Sequence, residues 1–178
     1  MGKSINEKLF LEENKMIQKN ILKYALTNLF IVLSADKTSP LKERKSFLFG
    51  LRDFLISQDE AKDLFQQWKE NQDKPTLLQS KEENRLIAAS LISVLLHEEN
   101  LSDIILQTLK GLLNKFDVNF SSVEIVFRER KNFLNVTGLN ERIEQIAVLV
   151  FQNDRYVFPK QVESEILYIS NHVSYEGF

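Results

Sequence analysis

Leu29-Phe-Ile-Val-Leu-Ser-Ala-Asp36 and Leu91-Ile-Ser-Val-Leu-Leu-His-Glu98 are the two stretches on which the fold turns. Each is the end of a charge-free run of twelve residues, 24–35 and 86–97, together with the acid that closes it. Twelve falls short of the roughly 18 apolar residues of a membrane span, and a helix that is apolar all round is a buried one. Both stretches are therefore expected to be central helices of a folded core, and no transmembrane segment is expected.

The two stretches have similar sequels. After the first come a Ser/Pro restart at Ser39-Pro40, a helix ending in Phe49-Gly50-Leu51-Arg-Asp-Phe54, and Ser57 opening a third helix. After the second come a restart at Ser102, a helix carrying Lys110-Gly111-Leu112-Leu-Asn-Lys-Phe116, and Ser121. Asp36 and Asn100 are 64 residues apart, as are Ser57 and Ser121, while Gly50 and Gly111 are 61 apart, so the copies align with a small gap. Ile146-Ala-Val-Leu-Val-Phe-Gln-Asn-Asp154, then Pro159 and 162–169, repeats the pattern in part. Duplication and the general likeness of helix pairs both account for units at about 25–71, 84–133 and 141–173. Either way the pattern predicts one all-α domain over 1–178, a bundle of about eight helices around buried apolar ones.

Local signals agree. Residues 6–35 hold no Gly or Pro, and their apolar residues recur three or four apart, which predicts one long helix or two in succession. Pro40 at a first helical position predicts a helix over about 40–56, with Leu41, Leu48, Leu51, Phe54 and Leu55 on one side. Three capping boxes, Ser57-Gln-Asp-Glu60, Ser80-Lys-Glu-Glu83 and Ser121-Ser-Val-Glu124, predict helices at about 58–71, 81–98 and 122–133. A further helix is expected over 102–116, a linker at 71–75, a helix over 141–152 and a last one from 159 to about 172. Residues 148–158 also fit a short β-hairpin, and the spacing of 143, 146, 147 and 150 favours the helix.

Composition narrows the function. With 23 basic against 25 acidic side chains, a net charge of -2 and no Cys, the chain has neither a global positive field for nucleic acid nor thiolate, iron–sulfur or Cys-based zinc chemistry. A cytoplasmic protein is expected, since Asn6 stands where a myristoylation signal wants Ser or Thr and Glu7, Glu12 and Glu13 do not suit a signal peptide. His97 and His172 are the chain's only histidines, the residue type suited to act as a base near neutral pH, neither in a metal-binding pair, and His97 reads as a helix C-cap. No phosphate-cradling, nucleophile-elbow or dinucleotide motif is present. A non-enzymatic chain is the leading expectation.

Two constellations stand out. Asp36, Glu43, Glu98 and Glu99 gather near the ends of the apolar helices, the hard oxygen donors that a divalent cation such as Ca²⁺ or Mg²⁺ needs, although no EF-hand loop is formed. Their bland reading is loop acids and a charge near a helix start. Lys42, Arg44 and Lys45 form one basic cluster and Arg128, Arg130 and Lys131 another between Phe127 and Phe133. Such clusters suit a protein partner or, less readily, nucleic acid, and are otherwise solvated helix faces. A tail over 168–178, with His172, Tyr175 and Phe178, suits docking.

The segment from Ala25-Leu26 through Leu33-Ser-Ala-Asp36, followed by a short loop, Glu43, Phe47-Leu48-Phe49 and Ser57-Gln-Asp-Glu60-Ala61, resembles the first half of TerB-like, tellurite-resistance domains. Residues 88–126 resemble the other half, so the resemblance spans about 25–130. It implies an all-helical domain, a divalent-cation site from Asp36, Glu43 and the Glu98/Glu99 pair, and work in a stress or defence system through a protein partner. The chain departs from that family at Lys37, where the family has Gly after its Asp, and at Glu98-Glu99 in place of Asp-Gly. A metal-dependent enzyme using these carboxylates and a nucleic-acid accessory protein are the rival expectations.

Overall fold

A computed structural model describes residues 19–38, 40–70, 80–136 and 138–151. Among these residues there are eight α-helices, two 3₁₀ turns and no strand: α1 (Lys19–Ser34), α2 (Lys45–Phe54), α3 (Gln58–Glu70), α4 (Lys81–Leu95), α5 (Asp103–Leu113), α6 (Phe120–Arg128), α7 (Arg130–Leu134) and α8 (Leu139–Val150). The chain is an all-α helical bundle, and no described helix is long and apolar enough to cross a membrane. The expected linker, the last helix, the tail, Ser39, Asn153, Asp154 and residues 6–18 of the first helix lie outside the described residues.

The two charge-free stretches form the heart of the bundle. In α4 every residue from Leu86 to Leu95 is buried, Ser90 and Ser93 included. In α1 Ile21, Ala25, Leu26, Leu29, Phe30 and Val32 are all inaccessible to solvent. α4 packs chiefly against α1 and α8, and α2 lies across both α1 and α4. Arg142, in the first turns of α8, meets Asp53 beside His97 just past α4, while Arg85, in the second turn of α4, lies over the Phe151 ring just past α8. These two helices therefore run antiparallel. Phe30 carries the packing outward to α2 and α3 through Phe47, Phe65 and Trp68, with an edge-on contact to Phe65 at 5.3 Å.

Helix starts obey the capping chemistry in two places out of three. Ser57 and Glu60 form the full reciprocal box, each side chain taking the other's backbone N–H. Ser80 accepts from the Glu83 amide. Ser121 is passed over, because Asn119 accepts from the Ser121 amide and opens α6 two residues earlier, while its own amide donates to the carbonyl of Val150. The expected helix 122–133 breaks at Glu129, whose φ of -95° and ψ of 20° separate α6 from α7.

One further expectation needs correcting. The helix from Pro40 starts five residues late: Leu41–Glu43 is a 3₁₀ turn and Arg44 is extended, which swings its guanidinium onto Asp36. Of the residues predicted to share one side of this helix, Leu48 is 49% and Leu55 65% exposed. Residues 148–150 are helical, which excludes the first strand of the hairpin reading.

Gly50 and Gly111, nearly equivalent in the repeat, differ in setting. Gly50 is buried over Leu29 and Val94, whereas nothing lies within 4 Å of a side chain built at Gly111. Replacing Gly111 with Ala therefore removes only a backbone-entropy cost and is expected to stabilise the fold by about 0.5–1 kcal/mol. Leu91→Ala, at a fully buried position of α4, is expected to cost about 2–5 kcal/mol. Urea unfolding of the two variants checks both signs.

Candidate functional site

The ends of α1 and α4 bear the acids singled out in the sequence, and each end reaches toward the start of the other unit's second helix. Asp36 accepts from the Thr38 hydroxyl at 2.7 Å and the Thr38 amide at 3.0 Å. It also ion-pairs with Arg44 at 3.0 Å, with both side chains nearly buried. Thr38 first, then Arg44 and the hydroxyl of Ser102, hold the Asp36 carboxyl well below the ordinary carboxylate range. Ser102 is itself the N-cap of α5, accepting from the Ile105 amide. In the reverse direction Glu98 accepts from the Ser46 amide at 3.1 Å and the Ser46 hydroxyl at 2.9 Å. That contact places a carboxylate on the N-terminus of α2, where free amides and the helix dipole favour it.

The basic candidates come to the same junction. Arg44 meets Asp36, Lys45 meets Glu99 at 3.5 Å, and Arg130 donates to the backbone carbonyl of Glu98 at 3.0 Å. Residues read from the sequence as two sites, one acidic and one basic, thus face one another across the loops. Glu43 is exposed in the 3₁₀ turn, and Lys42, Arg128 and Lys131 are exposed. Among the described residues, no three His, Asp or Glu side chains converge as a metal ion would require.

Sequence reasoning missed the second polar cluster, at the far end of α2. Asp53 Oδ2 lies 3.1 Å from His97 Nε2 and 3.2 Å from Arg142 Nη2, and its Oδ1 is 3.3 Å from Arg52. Phe49 stacks on the His97 ring at 4.4 Å between centroids, and the Arg52 guanidinium lies 4.4 Å from the centroid of the same Phe49 ring. His97 therefore ties α4 to α2 rather than ending α4 as a simple cap. Burial raises the Asp53 carboxyl, but the His97 hydrogen bond and the charges of Arg142, His97 and Arg52 together carry it below its ordinary value. Asp53, His97 and Arg142 are separated by 44 and 45 residues, so no spacing in the chain announces them. The one available signal was two ionisable residues, His97 and Arg142, set beside apolar helix faces.

Beside this cluster is a pocket of about 220 Å³ lined by Leu22, Asp53, Phe54, Leu55 and residues 138–141. Lys19 closes the adjoining end of α2, its ammonium donating to the carbonyls of Phe54 and Leu55, as cations do at helix C-termini.

No family model, no curated protein and no solved structure matches the chain.

A carboxyl whose folded pKa is depressed stabilises the fold above its unfolded value, and that contribution is lost as pH falls through the folded value. For Asp53 the unfolded reference is 3.8, so the window lies at and below about pH 4. Asp53→Asn leaves Arg142 buried without its anion and is expected to cost about 3–5 kcal/mol at pH 7. The difference from the unsubstituted chain should narrow as pH drops from about 5 to 2. Chemical denaturation across that range measures it.

Proposed function

We propose that this chain is a non-enzymatic interaction or regulatory module that works through a protein partner. Following the TerB-like resemblance of 25–130, its setting is a stress-response or defence system in the cytoplasm. One observation carries the reading: the acids and bases that would do chemistry at the helix ends are engaged by one another. Asp36 is taken by Thr38 and Arg44, Glu98 by Ser46, and Glu99 by Lys45. A cation entering there would have to displace Arg44 from a nearly buried pair, and Lys37 adds a further positive charge next to Asp36. Arg44 and Arg130 are likewise engaged within the chain, which leaves less of the two basic clusters for a phosphate backbone.

Titration calorimetry and thermal melting with Ca²⁺, Mg²⁺, Mn²⁺ and Zn²⁺, with Asp36→Ala as control, test this. A ligand at a hundred times its Kd adds about 2.7 kcal/mol, which in a chain of this size raises Tm by roughly 5–10 °C. The expected result is no heat and a shift within about 1 °C. Heat that disappears in Asp36→Ala would instead favour the metal-dependent enzyme.

A further inference from the structure

Leu55 combines two features that are unfavourable for a leucine. It follows α2 in the left-handed region, φ 56° and ψ 44°, closing the helix through Leu55 N–H to Arg52 and Ile56 N–H to Leu51. Glycine is the usual residue for this motif, because a side chain there meets the backbone. The corresponding left-handed residue of the second unit is Asp117, φ 58°, and Asp is among the few side chains that tolerate the region. Leu is not, and this Leu is also 65% exposed. Backbone strain kept at a surface leucine points outward, to something that covers it.

Its surroundings say what would. Lys45, Leu48, Arg52 and Leu55 are all exposed; the first three, at spacings of three and four, share one stripe of α2, and Leu55 follows directly past its end. Seven residues separate Leu48 from Leu55, the interval between anchors two turns apart on an amphipathic helix laid alongside. Two cations, Lys45 and Arg52, interleave the leucines, Lys19 lies beyond Leu55, and the stripe carries no acid. The anions that meet Lys45 and Arg52 lie off it: Glu99 in the loop after α4, in a solvent-exposed pair of little strength, and Asp53 on the side of α2 that faces His97. The pocket next to Leu55, walled by Leu22, Phe54 and Leu139, has room for one aliphatic side chain. Asp53 and Glu141 on its rim disfavour an acid at that point, so the seated residue is neutral.

We propose that the outer face of α2, together with this pocket, is the docking site for an acidic amphipathic helix of a partner protein, with an aliphatic side chain seated beside Leu55. This rests on the interaction-module reading and specifies its surface and the chemistry of its partner.

The test introduces p-benzoylphenylalanine in turn at positions 48 and 55, and at the exposed positions 66 on α3 and 107 on α5, in the full chain expressed in its own cells. Adducts are isolated after irradiation and the crosslinked peptide is sequenced. Adducts from 48 and 55 are expected on a peptide rich in Asp and Glu, with apolar residues three, four and seven apart, and not from 66 or 107. Leu55→Gly should leave Tm unchanged within about 2 °C or raise it by up to about 4 °C, while adduct yield from position 48 falls at least about fivefold. Should that variant melt lower, Leu48→Glu, at an exposed helical position, with the crosslinker at 55 gives the same reading. Adducts to a second copy of the chain, to its own residues 1–18 or to nucleic acid would overturn the proposal. So would adducts to a protein from 66 or 107 alone, a result that leaves the interaction module standing. No adduct from any position would count against both.

Discussion

A helix without a polar face has to be surrounded, and α4 is such a helix. With every residue from Leu86 to Leu95 buried, it must be enclosed on all sides, and α1, α2 and α8 do so. Each fully buried Leu or Ile contributes about 1.5–3 kcal/mol, against about 0.5–1.5 kcal/mol net for a typical hydrogen bond. The positions of the neighbouring helices are therefore set first by this burial, and the polar contacts are fitted to the ends that it leaves.

Those ends explain where the charges go. Because α4 is central, its C-terminus arrives at a crowded junction, and the first polar residues after it, His97 and Glu98, lie against protein as well as water. His97 is met by Asp53 and Phe49, and Glu98 by the start of α2 and by Arg130. Asp36 at the end of α1 stands in the corresponding place and is met by Thr38 and Arg44, with the Ser102 hydroxyl also acting on it. Each unit thus ends its apolar helix in a paired acid, Glu98 at the start of the other unit's second helix and Asp36 chiefly within its own loop. Groups placed there stay ionised by being paired, since an unpaired charge at such a junction would be costly. The outer face of α2 is free of these demands, and it is there that two leucines remain in solvent.

The apolar helices were legible because a run with no charge over three turns has few ways to fold in water. The box at Ser57 and the cap at Ser80 were legible because capping is a local exchange between residues three apart. The late start of α2 was not, because Arg44 leaves the helix to reach Asp36, a tertiary contact that overrides the local signal from Pro40. Nor was the exposure of Leu48 and Leu55: periodicity defines a helix face but cannot say whether a neighbour covers it. In the candidate site the acids and bases were visible as residues, but that Asp36 would meet Arg44, and Glu99 meet Lys45, depended on how two loops come together.

The sequence by itself determined an all-α bundle with 24–35 and 86–97 at its centre, since hydrophobic periodicity and the absence of charge act within a single helix. Only the tertiary structure decided which ionisable groups meet: Asp53 with His97 and Arg142, Asp36 with Arg44, Glu98 with Ser46. These pairings join residues up to 89 positions apart, and packing around α4, not spacing along the chain, brings them within reach.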